Sequence, residues 1–152
     1  MSKKDPHAER EALAKEIRKK GAKAVIVPWA NTRRVGDVLD LVGADLHGAD
    51  FRNMSLQDVL LEGANLEGAD LTGASLSQLR LLRVRFVNAD LEKALLSYSD
   101  VLQACFQGAN LCYADLTGSS GWEHIVGHPN RIDEDNREFI LAHARYAMRR
   151  RQ

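Results

Sequence analysis

The sequence is short of the staples that small proteins use when their cores are weak. It has two cysteines, Cys105 and Cys112, in 152 residues. That is too few for a disulfide framework, and the usage fits a reducing cytoplasm. Aromatic residues make up only 6% of the chain, so a core must be built from aliphatic side chains. There is no excess of either charge: 21 Lys and Arg stand against 21 Asp and Glu. A neutral chain lacks the general attraction to nucleic acid that a basic one carries, so no direct nucleic-acid partner is expected. Long apolar runs are missing too. The longest clear one, Ala24 to Ala30, is interrupted by Pro28 and falls far short of the roughly 20 residues that span a bilayer. The charged opening Met1-Ser2-Lys3-Lys4-Asp5-Pro6 has no secretory apolar segment, so neither export nor a membrane location is expected. The length suits one domain.

What the chain does have is a repeat. Residues 39–118 divide into sixteen consecutive fives without insertion. Ala44-Asp45-Leu46-His47-Gly48 sets the pattern, and Ala69-Asp70-Leu71-Thr72-Gly73 and Ala114-Asp115-Leu116-Thr117-Gly118 follow it closely. The third position is Leu or Phe in fifteen repeats, with Val101 the exception, and the first is Ala in ten. A period of five suits neither regular element. On an α-helix, five steps of about 100° make successive leucines drift by about 140°. On a straight strand an odd period sends alternate leucines to opposite faces. Both conflicts vanish if the chain turns a corner every five residues. The first and third side chains then point inward, and Gly or Asn at the fifth position provides the left-handed corner.

The number of corners per turn is also written in the sequence. Leu39, Val59, Leu79 and Ser99 replace the first-position alanine at intervals of twenty. Ser55 and Ser75, Ser77 and Ser97, and Phe86 and Phe106 share the same interval. Four sides and twenty residues per coil follow. The expected fold is an all-β solenoid, a quadrilateral β-helix of about four coils with strands about 4.8 Å apart, and hence a rod roughly 20 Å long.

These fives resemble the pentapeptide-repeat family, whose signature is A-(D/N)-L-x-x. The resemblance implies a right-handed quadrilateral β-helix. Because some members bind DNA gyrase as DNA mimics, it also allows a topoisomerase as partner.

The flanks are expected to cap the open ends of the solenoid, with residues 1–38 at one end and 119–152 at the other. Asp5-Pro6 reads as a helix start and Gly21 as its stop. Glu11–Lys15 and Glu16–Lys20 are candidate ion pairs on that helix, and its apolar stripe is expected to be Ala8, Ala12, Leu13 and Ile17. Ala24-Val25-Ile26-Val27 reads as a short strand, with Trp29 as the lid of the first coil. Gly121-Trp122 ends the repeat. A second helix is expected from about Asp133 to Arg149, acidic at its start and basic at its end. Its broad apolar arc includes Phe139, Ile140, His143, Tyr146 and Ala147, which makes it a candidate homodimer surface.

Charge is unevenly spread along the chain. Residues 1–38 carry +5, residues 39–118 carry −6 and residues 119–152 carry +1. The basic residues Lys15, Arg18, Lys19, Lys20 and Lys23 are expected to form a solvated face. Two surfaces of the rod stand out as candidate partner sites. One is an apolar outer face with Val42, Leu60, Leu82 and Leu102, which a flank helix or loop is expected to cover and which is otherwise a dimer or partner surface. The other is a stripe of Asp50, Asp70 and Asp90, expected to be solvated charges of the repeat motif and alternatively an imitation of a phosphate backbone, although Arg52, Arg80, Arg83 and Arg85 interrupt the acidic surface. His124 and His128 have neither the helical spacing nor a third ligand for a metal site. No catalytic triad, phosphate loop or carboxylate pair appears, so neither an enzyme nor a cofactor is expected. The function that remains is protein–protein interaction or scaffolding through a rigid rod, with an unknown protein partner. A gyrase-binding DNA mimic is the alternative.

Overall fold

The computed structural model describes residues 5–126 and 133–148. The chain runs through α1 (Pro6–Lys20), α2 (Ala22–Thr32), β1 (Leu39–Asp40), β2 (Val59–Leu60), α3 (Glu123–Val126) and α4 (Glu134–Met148). Most of the repeat region is built from single-residue parallel bridges, such as Asp45 with Asn65, Asn65 with Arg85, and Arg85 with Cys105. All these bridges join residues twenty apart, so each coil lies in parallel on the one before. The named strands β1 and β2, two residues each, pair in the same register.

One hydrogen-bond pattern recurs along the rod. A third-position N–H donates to the next coil, as Leu46 does to the Asn65 carbonyl at 2.8 Å, and Asn65 N–H returns a bond to the Ala44 carbonyl at 2.9 Å. At each corner a first-position N–H donates back three residues, as Ala44 does to the Leu41 carbonyl at 3.0 Å. The turn needs a positive φ at its third residue. Every fifth position from Gly43 to Gly118 has one, including Asp58, Gln78, Arg83, Lys93, Tyr98 and Tyr113. Side chains there cost about 1–2 kcal/mol each relative to an unstrained backbone. Burial of the neighbouring first and third positions overrides that local preference.

The third-position side chains fill the interior. Phe51, Leu71, Leu91 and Phe106 are all completely buried, and the first-position alanines lie beside them. Phe86 and Phe106 stack with ring centroids 4.9 Å apart, and Trp122 covers Phe106 at the same spacing. Trp122 is held by its indole N–H, which donates to Ser119 Oγ at 2.7 Å. Gly121 permits this closure. A Cβ there would lie 2.5 Å from the backbone nitrogen of Leu102.

The N-terminal flank packs into the same hydrophobic cluster through Ala14, Ile17, Ala22 and Ile26. Helix α1 starts and stops where expected: the Asp5 side chain accepts from His7 N–H, and Gly21 follows at φ 87°. Its buried stripe differs from the expected one. Ala14 and Ile17 are buried, while Ala8 and Ala12 face solvent. Of the two expected pairs, Glu16–Lys20 forms at 2.5 Å, whereas Glu11 reaches Arg18 at 3.4 Å. Residues 24–27 are helical within α2, not a strand. Ala22 and Ile26, four apart, share one buried face, and packing that face overrides both the β-branched residues and Pro28.

The basic character of this flank is partly spent inside the molecule. Arg10 pairs with Asp40 at 2.6 Å and Arg33 with Asp58 at 2.8 Å. Arg18 reaches the Asp45 carboxylate at 3.4 Å and also donates to the Asp45 carbonyl. These half-exposed pairs orient the flank, while the buried isoleucines, each worth about 1.5–3 kcal/mol, hold it in place.

Candidate interaction surfaces

The second-position Asp and Asn side chains have a structural job. Each carboxylate or amide oxygen accepts the backbone N–H two residues on, as Asp50 does from Arg52, Asp70 from Thr72 and Asp90 from Glu92, all at 3.0 Å. Short acceptors at this position close the turn locally. The sequence offered this signal in its A-(D/N)-L pattern, and the solvated-charge reading missed it.

The structure places Asp50, Asp70, Asp90 and Asn110 in one column through successive parallel bridges. The stripe is not a free row of charges. The Arg52 guanidinium grips Asp50 at 2.9 and 2.6 Å and lies 3.4 Å from Asp70. That grip, helped by Arg52 N–H and opposed by slight burial, lowers the Asp50 carboxyl to about 2. Asn110 donates to Asp90 at 3.0 Å.

The apolar outer face is less continuous than its sequence spacing suggests. Leu82 and Leu102 are successive in the fourth-position column, whereas Glu62 separates Val42 from Leu82. Leu60 lies in the neighbouring column beside Arg80, and the Arg80–Glu62 pair at 3.1 Å crosses between the two columns. Leu60 is 39% exposed, while Val42, Leu82 and Leu102 are half-buried. Beside Leu60 a groove of about 390 Å³ runs over the corner, lined by Val38, Gln57, Ser77, Gln78 and Leu79 among others.

Helix α4 is anchored to the coil that holds Gly108 and Ala109. Asp133 accepts from Gly108 N–H at 2.8 Å, and the Asn136 amide donates to the Ala109 carbonyl at 2.5 Å. Burial pushes the Asp133 carboxyl up, but hydrogen bonds from the Asn136 and Gly108 N–H groups outweigh it and leave the carboxyl below its ordinary range. Of the residues assigned to a dimer surface, Ile140 is completely buried and Phe139 packs partly on the core of its own chain. His143 is exposed, its Nδ1 2.7 Å from the Phe139 carbonyl and its ring 4.1 Å from the Phe139 ring. The breadth of the arc therefore partly reflects packing within the chain. The side chains of Tyr146 and Ala147 lie outside the described residues.

Cys105 is half-buried and Cys112 exposed, with no disulfide between them. His124 is exposed beside Glu123, and His128 lies outside the described residues. Among the described residues no three His, Cys, Asp or Glu side chains gather as a metal site. No helix of the described residues is long and apolar enough to cross a membrane.

This geometry agrees with comparisons to known proteins. A family model described as pentapeptide repeats matches in eight copies over residues 40–78 and 83–111. No curated protein sequence matches the chain. Among solved structures, the chain is 30% identical to the pentapeptide repeat protein Rfr23 of the cyanobacterium Cyanothece 51142, with a TM-score of 0.52 over 53% of this chain and 55% of that one. It thus spans little more than half the length of that protein. It is also 29% identical to a pentapeptide repeat protein of Nostoc Pcc 7120, with a TM-score of 0.40 over 65% of this chain and 74% of that one. QnrB1, a plasmid-mediated fluoroquinolone resistance protein, is 20% identical with a TM-score of 0.27, over 65% of this chain and 64% of that one. The chain carries pentapeptide repeats, and the proteins it resembles in structure are pentapeptide-repeat proteins, which fold as right-handed β-helices.

Proposed function

We propose that this chain is a non-enzymatic interaction module, a four-sided rod of about four coils that presents fixed side-chain columns to a protein partner. Residues 1–38 and 119–152 serve in this reading as end caps on the rod of residues 39–118. The observation that carries it is the filled interior: the third-position side chains leave no room for a substrate, and function is confined to the outside. The column of Leu82 and Leu102, with Val42 and Leu60 nearby, is the first surface assigned to a foreign partner, because exposed apolar patches usually mark contacts. Two cysteines without a mutual disulfide suit a reducing cytoplasm.

The alternative, a topoisomerase-binding DNA mimic, draws its support from the stacked Asp50, Asp70 and Asp90. The Arg52 clamp on that column weighs against it. Gyrase supercoiling assays at low and high salt separate the two readings. The scaffold reading expects no inhibition. It also expects a partner captured from the native host to be lost with Leu60→Arg and kept with Asp70→Lys. Salt-sensitive gyrase inhibition that Asp70→Lys abolishes without lowering the melting temperature would reverse the ranking.

A further inference from the structure

The N-terminal flank sorts its cations by side. Arg10, Arg18 and Arg33 turn to the first coil, where they meet Asp40, Asp45 and Asp58. Arg18 also donates to the Asp45 carbonyl. One coil later the equivalent carbonyl, that of Asn65, accepts Leu46 N–H from the coil before it. The Arg18 guanidinium therefore stands where a preceding coil would stand, and the flank lies across the open end of the rod. The lysines turn the other way. Lys15, Lys19 and Lys23 are exposed and make no ion pair among the described residues. The single basic face expected from the sequence is thus split between a bonded inner side and an open outer one.

The outer side is also apolar. At about 100° per residue, Lys15 and Lys19 lie opposite the buried Ala14 and Ile17 of α1, with the exposed Ala8 and Ala12 beside them. On α2 the exposed Ala24, Val27 and Pro28 lie opposite the buried Ala22 and Ile26, with Lys23 at their edge. Glu9, Glu11 and Glu16 flank this strip, and Arg18 and Lys20 engage the last two. Helix α2 has one charged residue among its eleven. Such a helix is ordinarily buried all round, yet Val27 is 40% exposed.

We infer that this outer face docks the rod end-on on an anionic phospholipid bilayer, with the lysines among the headgroups and Val27 and Pro28 at the acyl boundary. Chemistry selects the occupant. Protein interfaces are depleted in lysine and anchored by aromatic or arginine side chains in pockets. Here Arg10, Arg18 and Arg33 are turned inward, Trp29 is half-buried beneath Arg33, and none of the outer residues lines the groove at Leu60. A bilayer asks for less. It takes point charges on flexible stems, each worth about fivefold in affinity near an anionic surface, and a shallow apolar contact. A nucleic acid would gain nothing from Val27 and Pro28. No membrane-spanning segment is involved. Docked this way, the rod keeps its sides free for a protein partner. The inference goes beyond the interaction-module reading and uses none of its side columns, so its failure leaves them standing.

Co-sedimentation of the full-length protein with vesicles of phosphatidylcholine alone, or with about 30% phosphatidylserine added, tests it. Binding is expected only to the anionic vesicles, and it should fall as NaCl rises from about 50 to about 300 mM. The triple variant Lys15→Gln, Lys19→Gln and Lys23→Gln is expected to lose more than about tenfold in affinity with an unchanged melting temperature. Val27→Ser is expected to lose about threefold. Lys93→Gln, on a side of the rod, is expected to change nothing. Absence of binding to the anionic vesicles at low salt, or a loss as large for Lys93→Gln as for the triple variant, would overturn the inference. Lysine-dependent binding to duplex DNA with none to the vesicles would overturn it too.

Discussion

Replacing Phe106 by alanine tests whether the interior is one continuous column closed by a lid. Phe106 is completely buried, stacked on Phe86 at 4.9 Å and covered by Trp122 at 4.9 Å. Truncating a fully buried Phe costs about 3–5 kcal/mol, because a cavity remains where neighbours relax only partly. Part of that cost is the loss of two ring pairs, each about 0.5–1.5 kcal/mol. Against a typical total of about 5–15 kcal/mol, the loss is large. It is also local, because a solenoid's coils contact mainly their neighbours. The last coil and the Trp122 lid should therefore loosen before the middle of the rod. Chemical denaturation of Phe106→Ala in a Trp29→Phe background follows Trp122 by its fluorescence and the whole rod by circular dichroism. The expected result is an early, red-shifted Trp122 transition that separates from the main unfolding step. Tyr113→Asn, at an exposed corner that Asn tolerates, should change stability by less than about 0.5 kcal/mol. A cost below about 1 kcal/mol for Phe106→Ala, or Trp122 emission identical to the parent, would refute the column and lid.

The other predictions concern register, corners and pH. Leu71→Arg buries an unpaired charge and should abolish the cooperative melt, at a cost of several kcal/mol, while Leu60→Arg, at a partly exposed outward position, should leave the fold intact. Equal disruption by the two in circular dichroism melts would mean the inside/outside register is wrong. Gly68 and Gly121 both have positive φ, but a Cβ at Gly68 meets nothing within 4 Å whereas one at Gly121 strikes the Leu102 backbone. Gly68→Ala should therefore cost about 1 kcal/mol and Gly121→Ala clearly more; equal melting temperatures would contradict the close approach. The lowered Asp50 carboxyl stabilises the fold fully above its unfolded value near about 3.9 and loses that contribution as pH falls through about 2. Wild-type stability should thus drop more steeply than that of Asp50→Asn between about pH 4 and pH 2. The gap should be small, because the group is exposed, and parallel curves would show that the Arg52 clamp does not persist in solution.

Much of this was legible in the sequence because the repeat carries its own geometry. A period of five cannot serve a helix or a straight strand, and the twenty-residue recurrence of Leu39, Val59, Leu79 and Ser99 matches the register of the bridges from Asp45–Asn65 to Asp100–Ser120. Asp5-Pro6 and Gly21 marked the ends of α1 for equally local reasons. Where packing decides, the sequence misled or was silent. Residues 24–27 favour a strand by composition, yet form a helix because Ala22 and Ile26 can then share one face in the core. Trp122 became the lid over Phe106, a role the sequence reading did not assign, because that closure depends on Gly121 passing against the Leu102 backbone. The breadth of the α4 arc did not reveal that Ile140 is buried within its own chain. The corner groove beside Leu60, one coil from Tyr98, belongs to no stretch of sequence, since it exists only where residues twenty or more apart come together on adjacent coils. Local periodicity determines the coil, because each five residues must turn and bury the same two positions. Only the stacked structure decides which outward side chains become neighbours, and that is the level at which a partner would be chosen.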